Sequence, residues 1–247
     1  MRTLGIVPAR SGSKRIPRKN VRLLCGRPLL AYTAEAALRA SWLTTVILST
    51  DDDAIANIGR ACGLRVPFPR PTELATDGTP MLSVVQHALR AMEDLGEIFD
   101  AVCLLQPTNP LRRPQDIDAC IELLEQSSAD AVVTILPVPP TYNPYWVYFR
   151  DPHGFLQLST SGRDPIASRQ DLPPAFHREG SVYVSRWQVV QQQQSLYGER
   201  VLGYLLDPKH CVNIDDPEDW RRAARLLRAR RARVDGAVGA RAGHAHE

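Results

Sequence analysis

The sequence lacks any long run of apolar residues and any C-x-x-C cysteine pair. No apolar stretch approaches the roughly 18 residues that a membrane span requires, and the short one at residues 4–9 is followed directly by Arg10, which does not fit a signal peptide. The five cysteines are scattered and odd in number, a usage typical of free thiols in a reducing cytosol. We therefore expect a cytoplasmic protein with no membrane partner.

Motifs that mark several well-known enzyme classes are also missing. The chain has no G-x-x-x-x-G-K-[ST] motif, which disfavours a P-loop NTPase. It has no G-x-G-x-x-G motif, which disfavours a dinucleotide-binding oxidoreductase. A G-x-S-x-G motif is missing as well, and no group of histidines and cysteines has the spacing of a metal site. The common phosphate-binding motifs are therefore absent.

Lysine is scarce, and the charges are unevenly distributed. Only three of the 30 basic residues are lysines, and the first 34 residues carry eight basic side chains and no acid. Residues 221–247 carry eight arginines and two acids, whereas residues 35–220 hold 25 acids and 14 basic residues. Because the body is acidic, we expect no nucleic-acid partner. An RNA-binding surface built on the two basic ends stays open as an alternative.

Short apolar runs alternate with amphipathic stretches along most of the chain. Four runs predict strands buried on both faces, and four stretches have helical spacing. The predicted strands are 3–8, 45–49, 101–105 and 131–136, and the predicted helices are 28–40, 52–62, 80–95 and 114–127. This alternation predicts a layered α/β domain with a parallel sheet.

The alternation stops at Pro137. Residues 137–180 contain eight prolines and several aromatic residues, and they predict an inserted β-rich lobe with a hairpin turn at 151–154. The aromatic content of the lobe suggests an interface with a partner. The α/β pattern then resumes as strand 181–185, helix 186–193, strand 201–206 and a docked helix from residue 217. The tail 235–247 is predicted to be disordered.

The loop that follows the first strand is predicted to bind phosphate. Residues 8–20 contain five basic residues, no acid, and a glycine between two serines. Ligands of open α/β sheets bind beyond the carboxyl ends of the strands, where such a loop can point backbone N–H groups at an anion. Two of the three lysines, Lys14 and Lys19, lie here and suit a compact point charge. A solvated basic surface loop is the alternative.

Five motifs in order resemble the CMP-N-acylneuraminate synthetases, cytidylyltransferases that make CMP-activated acidic sugars. The motifs are 6–20 (IVPARSGSKRIPRKN), 68–77 (FPRPTELATD), 104–112 (LLQPTNPLR), 169–173 (RQDLP) and 212–219 (VNIDDPED). The resemblance runs from about residue 3 to 230. It implies a Rossmann-like nucleotidyltransferase domain over 1–234 with a mixed, mostly parallel sheet, an inserted dimerisation lobe at about 138–178, a homodimer, and Mg²⁺ as cofactor.

The resemblance assigns the triphosphate to the first loop and the base to the second. Arg10 would contact the α-phosphate and stabilise charge in the transition state, with Lys19 as a second catalytic cation. The residues expected to bind the nucleotide are Ser11, Gly12, Ser13, Lys14, Asn20, Arg70 and Thr79. Arg70 is expected to read the cytosine. A salt bridge from Arg70 to Glu73 or Asp77 is the alternative.

The sugar acid is assigned to residues in the third and fourth motifs. Gln106 would contact the sugar, and a hydrogen bond to its own loop is the alternative. Arg169 and Gln170 would bind the sugar carboxylate and hydroxyls, because arginine can hold a carboxylate with two parallel bonds. His177 stands where the family often has an arginine.

The fifth motif is expected to hold the metal. Asp216 precedes a proline in a helix-start pattern, which predicts a capping role. Asp215 is then the catalytic carboxylate that is free to bind Mg²⁺. Asn213 occupies the place of the family's second aspartate and would supply an uncharged amide oxygen.

The resemblance implies transfer of CMP from CTP to the anomeric hydroxyl of a nine-carbon 2-keto-3-deoxy sugar acid, with release of pyrophosphate. Sialic, legionaminic and pseudaminic acids are the expected substrates. The alternatives are an enzyme for the eight-carbon acid Kdo and a catalytically impaired nucleotide-binding homologue, which Asn213 would favour.

Overall fold

A six-stranded sheet forms the centre of the protein. The structure is a computed structural model that describes residues 1–160, 162 and 164–242, and it describes side chains up to residue 232. The strands are β1 (Thr3–Pro8), β2 (Leu23–Leu24), β3 (Arg27–Pro28), β4 (Thr45–Ser49), β5 (Ala101–Leu104), β6 (Ala131–Pro137), β7 (Tyr148–Arg150), β8 (Leu156–Leu158), β9 (Phe176–Arg186) and β10 (Val201–Leu205). The helices are α1 (Leu29–Leu38), α2 (Asp53–Ala61), α3 (Met81–Asp94), α4 (Pro114–Glu125), α5 (Trp187–Gln191) and α6 (Pro217–Ala242).

The strand order in the sheet is β10-β6-β9-β5-β1-β4. β9 runs antiparallel to both of its neighbours, β5 and β6, whereas the other pairs in this sheet are parallel. The predicted α/β fold with a mixed, mostly parallel sheet is therefore confirmed. β1 is buried along its whole length, as its uninterrupted apolar sequence predicts for a central strand.

Helices cover both faces of the sheet. On one face, Val7 of β1 packs in a cluster with Leu30 of α1 and Ile117 of α4. On the other face, Ile6 packs in a second cluster with Leu89 of α3. Because successive residues of a strand point to opposite faces, these two neighbours contribute to different cores.

β9 begins five residues before the predicted strand 181–185. Residues 176–178 pair with the end of β6, and the register shifts between Val133 and Ile135. Gly180 has a φ of 96° at this irregularity, a backbone conformation that glycine adopts readily. The insertion predicted at about 138–178 therefore ends inside the central sheet. The polar residues of this segment give no apolar alternation, so the pattern did not indicate a strand there.

The inserted lobe was predicted to be β-rich, but it contains few strand residues. Before β9 begins at Phe176, the described residues of the lobe contain the two three-residue strands of the antiparallel pair β7–β8, and the remainder is 3-10 turns and irregular chain. The predicted hairpin turn at 151–154 is present, with the Asp151 N–H donating to the Phe155 carbonyl at 3.0 Å. The many prolines have no N–H for a strand ladder, which explains the irregular chain.

The last helix docks on the body of the protein, as predicted. Ala223 and Leu227 of α6 are buried in a third apolar cluster with Ile16 and Leu29. The helix continues to Ala242, past the boundary predicted at residue 234, and residues 243–247 lie outside the described part of the chain. Within the described residues, no helix combines the length and the apolar composition that a membrane crossing would need.

Candidate active site

A cavity of about 410 Å³ lies where β1 and β5 end, at the edge of the sheet where open α/β folds bind ligands. Its lining includes nine of the fourteen residues singled out from the sequence: Arg10, Gly12, Ser13, Lys14, Lys19, Asn20, Arg70, Gln106 and Asp215. The remaining lining residues are Pro8, Arg15, Asp77, Met81, Pro107 and Thr108. Five of these side chains are basic and two are acidic, so the cavity favours an anion.

The basic loop is held in place by its own residues. The Asn20 amide donates to the Arg10 carbonyl at 3.1 Å, which closes the loop on itself. Ile16 is buried in the apolar cluster beneath α6, and the Lys19 ammonium donates to the Ile214 carbonyl at 2.8 Å. The loop therefore has a defined shape, whereas the alternative reading as a solvated surface loop would leave it without such anchors.

Asp77 pairs with two of the five cationic side chains in the cavity. Its carboxylate lies 2.5 Å from the Arg10 guanidinium and 2.8 Å from the Lys14 ammonium. These contacts, with Lys14 first and Arg10 second, lower the pKa of the Asp77 carboxyl. The Asp77 carboxylate therefore contacts Arg10 and Lys14, the two cations that are expected to bind the phosphates of the nucleotide. From its position in the second motif, Asp77 was expected only as a possible partner of Arg70.

Arg70 is buried at 5 % exposure and still lines the cavity. Its Nε donates to the Ser49 hydroxyl at 3.0 Å, and one terminal nitrogen donates to the Ser49 carbonyl. Burial lowers the pKa of Arg70 to about 10, so the group stays charged at neutral pH. The alternative salt bridge to Glu73 or Asp77 does not form among the described residues. Part of this guanidinium is thus left available for a ligand.

Two residues predicted to bind the nucleotide have other partners. The Ser11 N–H and hydroxyl both donate to the Asp51 carboxylate, at 3.1 and 2.7 Å. The Thr79 hydroxyl lies 2.8 Å from that of Thr76 and bonds to the Glu73 carbonyl. Neither residue lines the cavity. Ser11 instead fixes the loop to the end of β4, and Thr79 closes the turn before α3.

Gln106 reaches the cavity from the loop after β5. Its side chain makes no hydrogen bond to any described residue, so the alternative bond to its own loop is absent in this part of the chain. Its carbonyl accepts from Arg112 at 2.5 Å. Arg112 also donates to the Ser181 carbonyl and the Thr33 hydroxyl. The backbone of Gln106 is therefore held firmly, while its amide is available to a ligand.

Asp215 lies beside Lys19 at the start of α6. The two charged groups are 3.7 Å apart, and burial, partly offset by Asp215, lowers the pKa of Lys19. The Asn213 amide nitrogen donates to the Asp215 carboxylate at 3.2 Å, but Asn213 does not line the cavity. No group of three or more histidine, cysteine or acidic side chains suited to a metal occurs among the described residues.

The capping prediction for Asp216 is confirmed. Its carboxylate accepts from the N–H groups of Glu218 and Asp219 at 2.8 and 2.9 Å, which lowers the pKa of Asp216. The Asp219 carboxylate accepts in return from the N–H groups of Asp215 and Asp216. This reciprocal arrangement is a capping box, and it fixes the backbone that carries Asp215. The sequence pattern alone did not indicate this role for Asp219.

Arg169 and Gln170 are not brought to the cavity. Both lie exposed in a 3-10 turn of the lobe, Arg169–Asp171, and neither lines the cavity. Within one chain, the predicted contact of these two residues with a ligand is therefore not made.

Comparisons with known proteins agree with this arrangement. The family model described as cytidylyltransferase matches residues 4–200. The chain is 34% identical over 228 residues to CMP-N,N'-diacetyllegionaminic acid synthase of Legionella pneumophila, covering 92% of this chain and 97% of that protein. It is 29% identical to N-acylneuraminate cytidylyltransferase of Escherichia coli, covering 95% of this chain and 55% of that protein.

Two solved structures share the fold. One is CMP:2-keto-3-deoxy-manno-octonic acid synthetase complexed with CTP, with a TM-score of 0.68, 16% identity, and coverage of 93% of this chain and 100% of that chain. The other is 4-diphosphocytidyl-2C-methyl-D-erythritol synthase from Anaerococcus prevotii, with a TM-score of 0.64, 14% identity, and coverage of 92% and 98%. With the family match over most of the sequence, the basic loop and the cavity at the sheet edge, the chain belongs to the cytidylyltransferase family.

Proposed function

We propose that this protein transfers CMP from CTP to the anomeric hydroxyl of a nine-carbon 2-keto-3-deoxy sugar acid and releases pyrophosphate. The observation that carries the proposal is one cavity that collects five basic side chains, the buried Arg70 among them, together with Gln106 and Asp215. Relatives named for legionaminic, sialic and pseudaminic acids support the nine-carbon class. The likeness to the eight-carbon enzyme is one of fold, at 16% identity.

The basic loop would hold the triphosphate and stabilise the transition state. In-line attack of a hydroxyl on the α-phosphorus requires positioning and charge neutralisation rather than a covalent nucleophile. Arg10 would bind the α-phosphate through its guanidinium, with Lys19 as the neighbouring cation. Lys14 and the backbone of Gly12 and Ser13 would hold the outer phosphates. CTP would compete with Asp77 for Arg10 and Lys14, because the Asp77 carboxylate already contacts both cations.

Arg70 would select the base. Two of its N–H groups are used by Ser49, and the others can donate to the acceptor edge of cytosine. Uracil shares that edge only in part, because its N3 carries a proton and repels a donor. The burial of the guanidinium strengthens this contact, since no bulk water screens it.

The donor set at the start of α6 fits Mg²⁺ that is shared with the nucleotide. Magnesium in proteins commonly takes one or two carboxylates, substrate phosphates and several waters. Asp215 presents a partly exposed carboxylate to the cavity, and Asn213 could add its amide oxygen. A bound Mg²⁺ would neutralise charge on the phosphates. The Asp215 carboxylate would hold the metal ion in place. Lys19 would hold the chain next to Asp215 through its bond to the Ile214 carbonyl.

The lobe would form a homodimer. Several of its large apolar side chains are exposed: Tyr142, Tyr145, Tyr148, Phe149, Phe155 and Leu156. Several large exposed apolar side chains on one lobe favour an interface. Arg169 and Gln170 lie on the same lobe, so their proposed contact with the sugar carboxylate is tied to the dimer, in which the lobe of one chain would cover the cavity of the other. All five cysteines are free thiols, which supports a reducing cytoplasm as the location.

The experiment is to incubate the full chain with CTP, MgCl₂ and N,N'-diacetyllegionaminic acid. We expect one pyrophosphate released for each CMP-sugar detected by mass spectrometry, and no release without the sugar acid. CTP binding without turnover on any sugar acid would instead favour the catalytically impaired homologue, for which Asn213 is the supporting residue.

A further inference from the structure

A second cavity lies away from the proposed active site, between α1, α6 and the start of α4. We call it the arginine cleft; its volume is about 380 Å³, close to that of the active cavity. Its charged lining residues are Arg27, Arg39, Arg112, Arg230, Arg231 and Glu35. The cleft therefore holds five cationic side chains and one anionic side chain, and none of them belongs to the proposed machinery for CTP.

The single acid in the cleft does not neutralise this charge. Glu35 accepts from Arg27 at 2.7 Å and lies 3.5 Å from Arg39, and these contacts, Arg27 first, lower its pKa. One carboxylate is thus shared between two guanidinium groups. Among the residues described with side chains, Arg231 donates only to the Cys25 carbonyl, a neutral acceptor, at 3.4 Å. The lining keeps a net charge of about +4 at neutral pH.

Arg112 contributes a buried positive charge to the lining of the cleft. The side chain is 5 % exposed, and its three hydrogen bonds go to uncharged oxygens of Ser181, Thr33 and Gln106. No carboxylate of the described residues lies within salt-bridge distance of it. Burial lowers its pKa only to about 10, so it remains a cation. Buried charges in proteins are ordinarily paired with an opposite charge. Here the Glu179 carboxylate acts on Arg112 only at a distance, through Ser181, whose N–H and hydroxyl donate to it.

We propose that the arginine cleft is a second anion site, which binds a pyrophosphate-bearing compound up to the size of a nucleoside diphosphate. Arginine forks bind phosphate oxygens in pairs, and the net positive lining attracts the several negative charges of a pyrophosphate group. The volume is in the range of small-molecule sites. This inference does not rest on the proposed function, because none of the charged groups it uses takes part in the proposed transfer.

The test counts the pyrophosphate sites of the full chain by isothermal titration calorimetry. The variant R230E/R231E reverses two charges of the cleft on the exposed side of α6. The matched control R225E/R228E makes the same charge change on the same helix at exposed residues outside the cleft. We expect two pyrophosphates per chain for the wild type and the control, and one for R230E/R231E. Titration with CDP then shows whether a nucleoside diphosphate uses the same cleft.

A second variant, on a different helix, tests whether the loss of binding in R230E/R231E comes only from a disturbed α6. Arg39→Glu changes the cleft from α1, with Arg60→Glu on the exposed surface of α2 as its control. We expect Arg39→Glu to weaken the second site at least about tenfold and Arg60→Glu to leave it unchanged. A wild-type chain that binds a single pyrophosphate, or equal losses in a variant and its control, overturns the proposal. The number of pyrophosphate sites does not depend on whether the protein turns over CTP. The proposal of CMP transfer and the proposal of a second anion site can therefore be refuted separately.

Discussion

The replacement of Arg70 by methionine tests how the base is selected. Methionine keeps a similar volume and removes every N–H group. The guanidinium is buried and stays charged at a pKa of about 10, and a hydrogen bond to a charged group in such a place contributes about 1.5–3 kcal/mol. Loss of about 2 kcal/mol corresponds to roughly a thirtyfold fall in kcat/KM for CTP. The preference for CTP over UTP should fall by a similar factor.

The assay is steady-state pyrophosphate release with CTP and with UTP at a fixed sugar-acid concentration. Arg65→Met is the matched control, because Arg65 lies in the same segment but is half-exposed and pairs with Glu97. Pyrophosphate affinity of Arg70→Met should stay at the wild-type value, which shows that the phosphate loop is intact. If Arg70→Met keeps the wild-type preference for CTP over UTP, the reasoning about Arg70 is refuted.

Four further predictions follow from the structure. Asp77→Asn frees two cations for the triphosphate, so the KM for CTP should fall a few-fold and inhibition by pyrophosphate should strengthen. Asp215→Ala should lower kcat at saturating Mg²⁺, seen in pyrophosphate release. Gly59→Ala would push a Cβ into a buried leucine of β4, so the free energy of unfolding should fall by about 1–2 kcal/mol in urea titrations. Phe149→Glu should convert the proposed dimer to a monomer in light scattering.

Three of these variants, those at Asp215, Gly59 and Phe149, have a control in the same chain. Glu218→Ala removes an exposed carboxylate near Asp215 and should keep kcat; equal activity of the two variants would contradict the role of Asp215. Gly78→Ala places its Cβ in open space and should leave stability unchanged. Ile98→Glu changes an exposed apolar residue outside the lobe and should leave the oligomeric state as it is. A wild-type KM in Asp77→Asn would show that Asp77 does not compete with CTP.

The order of the helices and most strands could be predicted because each segment carries its own signal. β1 is an unbroken apolar run and is buried on both faces, and the helices show an apolar face at helical spacing. The start of β9 could not be predicted in this way. Its residues 176–178 owe their strand conformation to pairing with β6, a tertiary effect that overrides local pattern.

The active cavity was predictable where its residues are neighbours in sequence. The cations of the first loop follow one strand, so their meeting at the sheet edge follows from the fold. The contacts of Asp77 with Arg10 and of Ser11 with Asp51 join different loops, and no periodicity in the sequence reports such pairs. The same holds for Arg112, whose partners come from α1, β9 and its own loop.

The most direct measurement of the central claim compares two sugar acids under the same conditions. The full chain is assayed with CTP and Mg²⁺ against a nine-carbon acid, N,N'-diacetyllegionaminic acid or sialic acid, and against the eight-carbon acid Kdo. We predict that kcat/KM for the preferred nine-carbon acid exceeds that for Kdo by about tenfold or more, since a missing part of a substrate costs binding in the transition state. Equal or faster turnover of Kdo, or no pyrophosphate release with any nine-carbon acid, would contradict the account.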